Sequence, residues 1–425
     1  MRSFDLARAL ASALVGGGSG ARAVVGAVAV TAVAATGGCG GGSTPADAAA
    51  DGFDRSAMLA HQASHVLLPI QEAFAARAAE LPAALDAHCA ELDAGAPGPA
   101  RDAARAAWGR AVDAWQAADA LLIGPAAADM KTLRERIYAW PLLSPCGLDR
   151  DTATSWQNPG GYDPATRLPN VRSLTSIEYL LYATATAHTC ATLPPGWDLL
   201  GPDLPRARCR LARRLAGDVA AQAAALHDAW RAEGGDFVGA LARAGQAGSP
   251  YPTAHAAINE LSDGMFYVDA MVKDMKLAEA AGLAVNACGS VEAPCLREVE
   301  LERSDRAAFA IRANLGALRL AFTGATPAAD GPGFDDFLRA LGQGELADRM
   351  TASLDGAITA AGALPDSYVT ALTTDRDGDG DVDTADYPEI VAAHAAVKRL
   401  TDDMKSQFLT VLALELPDDV AADND

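Results

Sequence analysis

The stretch VRSLTSIEYLLYA, residues 171–183, sets the reading of the whole chain. Leu174, Ile177, Glu178 and Leu181 fall at i, i+3, i+4 and i+7, the period of one face of an α-helix and not the alternation of a strand. That face is core-directed, and it carries a carboxylate. Burying an ionised group alone costs so much that it pairs, takes a proton or binds a metal. Three arrangements are open for Glu178. It is satisfied by Thr175, by a helix terminus or by a basic residue such as Arg134, Arg136 or Arg172; or it faces a ligand cleft walled by Trp140 and Tyr179; or it belongs to a metal centre completed by histidines from elsewhere.

Outward from this helix the same period recurs. Alanine dominates, aromatic residues are 6% of the chain, and long runs lack β-branched alternation, which favours an all-α protein. With 425 residues and 50% hydrophobic content the chain builds sizeable cores. WGRAVDAWQAADALLIG (108–124) and FAIRANLGALRLAFTG (309–324) are both helices that end at Gly, a faint echo of a duplication. The expected fold is two related helical bundles packed side by side, the first over 54–245 and the second over 250–417, followed by an acidic tail, 418–425. Pro141 closes one helix, and the Pro-, Gly- and Asp-rich segment 142–170 reads as a long irregular loop with Cys146 as its pin.

The amino terminus carries Arg2, Arg8 and Arg22, then the apolar run AVVGAVAVTAVAA (23–35) and small residues, the pattern of an export signal over 1–38. Cys39 after Gly38 is the candidate lipidation site, at the head of a flexible tether over 39–53. Removing Cys39 leaves six cysteines in an exported protein, so disulfides are expected. Cys288 and Cys295 flank GSVEAP and form the natural pair; connectivity among Cys89, Cys146, Cys190 and Cys209 stays open. A net charge of -21 argues against tracking nucleic acid or an anionic lipid surface and makes cations the more natural partners.

Two groups invite metal. DRDGDGDVDTAD (375–386) reproduces the twelve-residue calcium loop of EF-hands, with Asp375, Asp377 and Asp379 at positions 1, 3 and 5, Gly380 at the turn, Asp381 at 7, Asp383 at 9 and Asp386 at 12. A short entering helix in DSYVTALTT and an exiting one in YPEIVAAHAAVKRL flank it, and a single loop of this kind reads as a structural calcium clip in the second bundle. His61 and His65, spaced i, i+4 with Glu72 beyond, are candidate transition-metal ligands. No P-loop, dinucleotide-binding glycine pattern, HExxH or GxSxG is present.

AWGRAVDAWQAADALLIGPA, RIYAWPL before a Cys, the Glu178 helix, KDMKLA (273–278), ANLGALRLAFTG and LTDDMKSQFLTVLALELP, in that order, resemble the imelysin family of exported bacterial proteins. The resemblance implies an all-helical fold, residence in the periplasm or on the outer membrane, and a role in acquiring iron or another metal; some relatives are classed as metallopeptidases. The family motif G-x-H-x-x-E falls on Ser173, Thr175 and Glu178, so threonine stands where the family has its imidazole. The expected function is a non-catalytic metal- or ligand-binding lipoprotein. A metal-dependent peptidase and a surface scaffold for an outer-membrane uptake receptor are the alternatives.

Overall fold

In a computed structural model the described residues are 52–95, 98–289, 291, 293–417 and 420, and all their regular structure is helical. Helix α1 (Arg55–His61) passes through a π-helical turn, Gln62–Leu67, into α2 (Leu68–Asp93). Helix α3 (Ala100–Asp119) buries Ala104, Trp108, Ala111, Val112, Trp115 and Ala118 at helical spacing, and Gln116 and Asp119 share that buried surface. Then come α4 (Ala128–Ile137) and α5 (Pro145–Gln157). Next is α6 (Leu174–Tyr182), which starts in a capping box formed by Ser173 and Ser176 and is buried on every side from Leu174 to Leu181. The Trp108 indole N–H donates to the Leu174 carbonyl at 2.9 Å and fastens α6 to α3.

Helices α7 (Leu204–Trp230), α8 (Phe237–Ala242) and α9 (Ala254–Met265) follow, and then a twelve-residue π-helical segment, Val268–Glu279. The remainder consists of α10 (Ala307–Thr323), α11 (Phe334–Ala340), α12 (Gly344–Gly362), the single turn α13 (Tyr368–Ala371), α14 (Pro388–Asp403) and α15 (Leu409–Leu412). Helix α2 packs on α3 and α7, with α6 against α7 and α3; the Val268–Glu279 segment, α12 and α10 pack with α14 or one another, and α3 meets α10.

The segment 142–170 is a correction. It contains α5, because Ser144 caps the helix by accepting from the Gly147 amide, Pro145 occupies the first turn where no amide partner is needed, and Leu148 and Ala153 are buried. Its Pro and Gly content therefore belongs to the helix start and to the turns after Gln157. Three disulfides cross the fold: Cys89–Cys209 joins α2 to α7, Cys146–Cys190 pins the start of α5, and Cys288–Cys295 pairs as expected. No helix among the described residues is long and apolar enough to cross a membrane. The signal segment, Cys39 and most of the acidic tail lie outside the described residues.

Candidate functional site

Glu178 is 4% exposed, and its partner is none of the residues expected from the sequence. Glu178 Oε1 accepts from the Ser304 amide at 2.9 Å and from the Ser304 hydroxyl at 2.7 Å. Arg134 is bound instead to Asp119 through two bonds of 3.0 and 2.9 Å, and Arg172 to Asp218. The Thr175 hydroxyl lies 2.8 Å from that of Ser173. Burial pushes Glu178 up to about 7, against the pull of the two Ser304 bonds and the nearby Arg303 charge. Its proton is thus held to a higher pH than that of an ordinary carboxyl.

Ser304 belongs to a turn, 300–306, that ties several elements together. Leu301 and Asp305 adopt left-handed backbone conformations, φ 55° and 56°, uncommon for side-chain-bearing residues and held only where surrounding contacts impose them. Glu300 at its start is 1% exposed and accepts from the Gln116 amide group at 2.9 Å and the Tyr138 hydroxyl at 2.6 Å. Its other oxygen lies 2.9 Å from Lys276 Nζ, which also donates to Gln116 Oε1 at 2.8 Å and Asn314 Oδ1 at 2.7 Å. This fully buried ammonium thus makes two hydrogen bonds and one close ion-pair contact. Burial lowers the Lys276 pKa, opposed by the Glu300 charge, and burial raises that of Tyr138. At the other end of the turn, Asp305 accepts from the Val369 amide at 3.0 Å and from the Ser367 hydroxyl.

A cleft of about 290 Å³ opens beside Glu178. Thr175 and Glu178 contribute from α6, Trp140, Pro141, Leu143 and Pro145 form an apolar wall, and Arg297, Glu302 and Arg303 are charged groups on its lining. Tyr179 is not among the lining residues: its hydroxyl donates to Asp149 at 2.9 Å, and the Arg303 guanidinium lies 4.6 Å from its ring centre. The sequence marked Glu178, Thr175 and Trp140, which the fold brings to one cleft. It did not mark Ser304, Glu300, Lys276, Gln116 or Asn314. Lys276 had a signal within KDMKLA, since a lysine on the apolar face of a helical stretch needs a buried anion.

The 375–386 loop lies between α13 and α14, as the flanking patterns predict. Gly378 and Gly380, φ 79° and 107°, supply the left-handed conformations of its bend. Carboxylate oxygens of Asp375, Asp377 and Asp386 come within 4.8 Å of one another, and so do those of Asp379, Asp381 and Asp383. Repulsion from Asp379, and a side-chain hydrogen bond to it, push the Asp381 carboxyl up. Loop amides are arranged around the acids: Asp386 accepts from the Asp377 amide at 3.1 Å and the Asp383 amide at 3.0 Å. This donor set of clustered hard oxygens fits a calcium ion. The loop is hooked to the core by the Tyr387 hydroxyl, which donates to the Ala281 carbonyl at 2.9 Å, while Tyr368 of α13 donates to the Lys276 carbonyl at 3.2 Å.

His61 and His65 stack with ring centres 5.0 Å apart, where α1 runs into the π-helical turn. His61 Nε2 lies 2.7 Å from the Gly324 carbonyl, at the end of α10, and Glu72 is exposed. Neither histidine joins a set of three potential ligands among the described residues, and no such set includes Glu178. The residues around Glu178 therefore do not fit a transition-metal centre.

These features define an all-helical protein with a buried, hydrogen-bonded carboxylate at the side of a small cleft. The family model for imelysin, peptidase family M75, matches residues 67–397, and the chain belongs to the imelysin family. Among solved structures the chain is similar to an imelysin-like protein from Psychrobacter arcticum 273-4, at 17% identity and TM-score 0.60, over 85% of this chain and 96% of that one. It is also similar to a protein from Parabacteroides distasonis ATCC 8503 named as an iron-regulated protein A precursor, at 16% identity and TM-score 0.62, over 84% and 94% of the two chains. At these identities the likeness concerns the fold. No curated protein matches the chain.

Proposed function

We propose that this chain is an exported, non-catalytic imelysin that holds a ligand in the cleft beside Glu178, serves the acquisition of iron or another metal, and carries one structural calcium ion in the 375–386 loop. The observation behind this reading is the setting of Glu178: its Oε1 takes both Ser304 hydrogen bonds, and Thr175 fills the position of the family histidine. A carboxylate so placed suits hydrogen bonding to a bound molecule, whereas a divalent transition metal or a hydrolytic water calls for imidazole or further carboxylate ligands.

Family membership and the name of the Parabacteroides relative support the iron context. The amino-terminal pattern and three disulfides support export to the periplasm or outer membrane, with a lipid anchor at Cys39. Two related bundles are supported by the grouping of α2, α3 and α7 on one side and α10, α12 and α14 on the other.

Inductively coupled plasma mass spectrometry on mature protein purified without chelators tests the metal assignment: about one calcium and no iron, zinc or copper is expected. Stoichiometric transition metal would overturn it. Incubation with an unstructured protein, with zinc or iron supplied, should give no cleavage; cleavage abolished by Glu178→Ala would establish the peptidase instead.

A further inference from the structure

We propose that the cleft beside Glu178 takes a small organic carboxylate, its anionic group held by Arg303 and Arg297, its apolar body against Trp140, Pro141 and Leu143, and a second polar atom bonded to Glu178. This deepens the ligand-binding reading above and rests on it.

The first support is charge. The chain carries 55 acidic against 34 basic residues, and many of its arginines hold a carboxylate: Arg110 with Glu80, Arg210 with Asp93, Arg306 with Asp113, Arg319 with Asp355. Arg297 and Arg303 are among those that do not, and both line this cleft. Among the described residues neither makes an ion pair: Arg297 donates to the Ala287 carbonyl at 2.8 Å, and Arg303 lies over the Tyr179 ring. Stacking engages the face of a guanidinium and leaves its N–H edge available to a carboxylate in the two-bond geometry that arginine favours. Glu302 is the one further charged group besides Glu178, so two guanidiniums stand against one carboxylate when Glu178 carries its proton.

The second support is shape and chemistry. A volume of about 290 Å³ is near the lower end of small-molecule sites, which run from roughly 300 Å³ upward. The wall of Trp140, Pro141, Leu143 and Pro145 offers nothing to an inorganic anion but buries a hydrocarbon body. A phosphate dianion would also meet Glu302 and Glu178, whereas a single carboxylate adds one charge only. Glu178, with Oε1 committed to Ser304, pairs with a hydroxyl or second carboxyl of the ligand as donor or acceptor.

The test is isothermal titration calorimetry of the full mature protein with phenylacetate, with phenethylamine as its cationic counterpart, and with inorganic phosphate. Phenylacetate is expected to bind best, and Arg303→Gln, at an exposed position where folding is checked by thermal melting, should weaken it about tenfold or more. Arg303→Lys, which keeps the charge and loses the fork, should fall between. Equal affinity for phosphate, or phenylacetate binding unchanged in both Arg303→Gln and Arg297→Gln, overturns the carboxylate class. Tighter binding of phenethylamine that depends on Glu178 overturns the anion preference while leaving a ligand cleft in place. No binding of any probe removes both the class and the cleft reading.

Discussion

Glu178 and Glu300 lie at 4% and 1% exposure, whereas five of the six aspartates between Asp375 and Asp386 are partly or fully exposed. The two regions balance negative charge in different ways. Glu178 and Glu300 are answered by protein groups far away in sequence: Ser304 reaches Glu178 across 126 positions, and Gln116 reaches Glu300 across 184. In the loop the acids are neighbours within twelve residues, and backbone amides of the same loop answer most of them. The lesson is that a buried charge is a statement about tertiary partners, and a clustered surface charge is a statement about its own local backbone. The regions also touch, since Asp305, next to Ser304, is bonded by Ser367 and Val369 at the entrance to the loop.

The sharpest way to break this contrast is at Lys276. Lys276→Met leaves Glu300 buried without its cation and should cost about 3–5 kcal/mol in urea unfolding, with much of the loss recovered by adding Glu300→Gln. A loss below about 1 kcal/mol would mean that the interior charges are not paired as described.

Glu178 works in the opposite direction. Its folded pKa of about 7 lies above the ordinary 4.5, so the folded chain binds the proton more tightly than the unfolded one. Its effect on stability is then most favourable below pH 4.5 and is lost as pH rises through 7. Fully ionised, the group costs about 3 kcal/mol by the standard conversion from pKa difference to free energy. Glu178→Gln, which keeps the acceptor for Ser304, should therefore stabilise the protein at pH 8 by up to that amount and by little at pH 5. Unfolding curves at the two pH values measure the difference; equal gains at both would show that Glu178 is not titrating.

For the loop, calcium at a hundredfold excess over its dissociation constant should add about 2.7 kcal/mol, removed by chelator and absent in Asp375→Ala. Hydrogen exchange of the 300–306 amides should slow with calcium, through the bonds to Asp305; exchange indifferent to bound calcium would separate the two regions. The smallest effect belongs to Ser304→Ala, about 1.5 kcal/mol at pH 8 and less at pH 5, with the Glu178 titration seen by carbon-13 NMR moving up.

The period in residues 171–183 was enough for the α6 helix and for the burial of Glu178, because spacing along a helix is a local property. The Asp375–Asp386 pattern was legible for the same reason, all its acids lying within one turn-sized loop. The 142–170 segment misled, since Pro145 and Gly147 read as loop residues until the Ser144 cap and the burial of Leu148 show them to be a helix start. The i, i+4 spacing of His61 and His65 also carried no partner information: His61 Nε2 meets the Gly324 carbonyl at the end of α10.

What the sequence alone determined is the helical class, the family, the Cys288–Cys295 pair, and that a carboxylate at 178 lies inside without the family histidine beside it. Tertiary structure decided what answers that carboxylate. Ser304 sits 126 positions downstream, with Arg303 beside it, and neither has a periodic relation to α6. Hydrogen bonds and ion pairs act over a few ångströms, so only the packing of distant segments into one core brings a partner within reach.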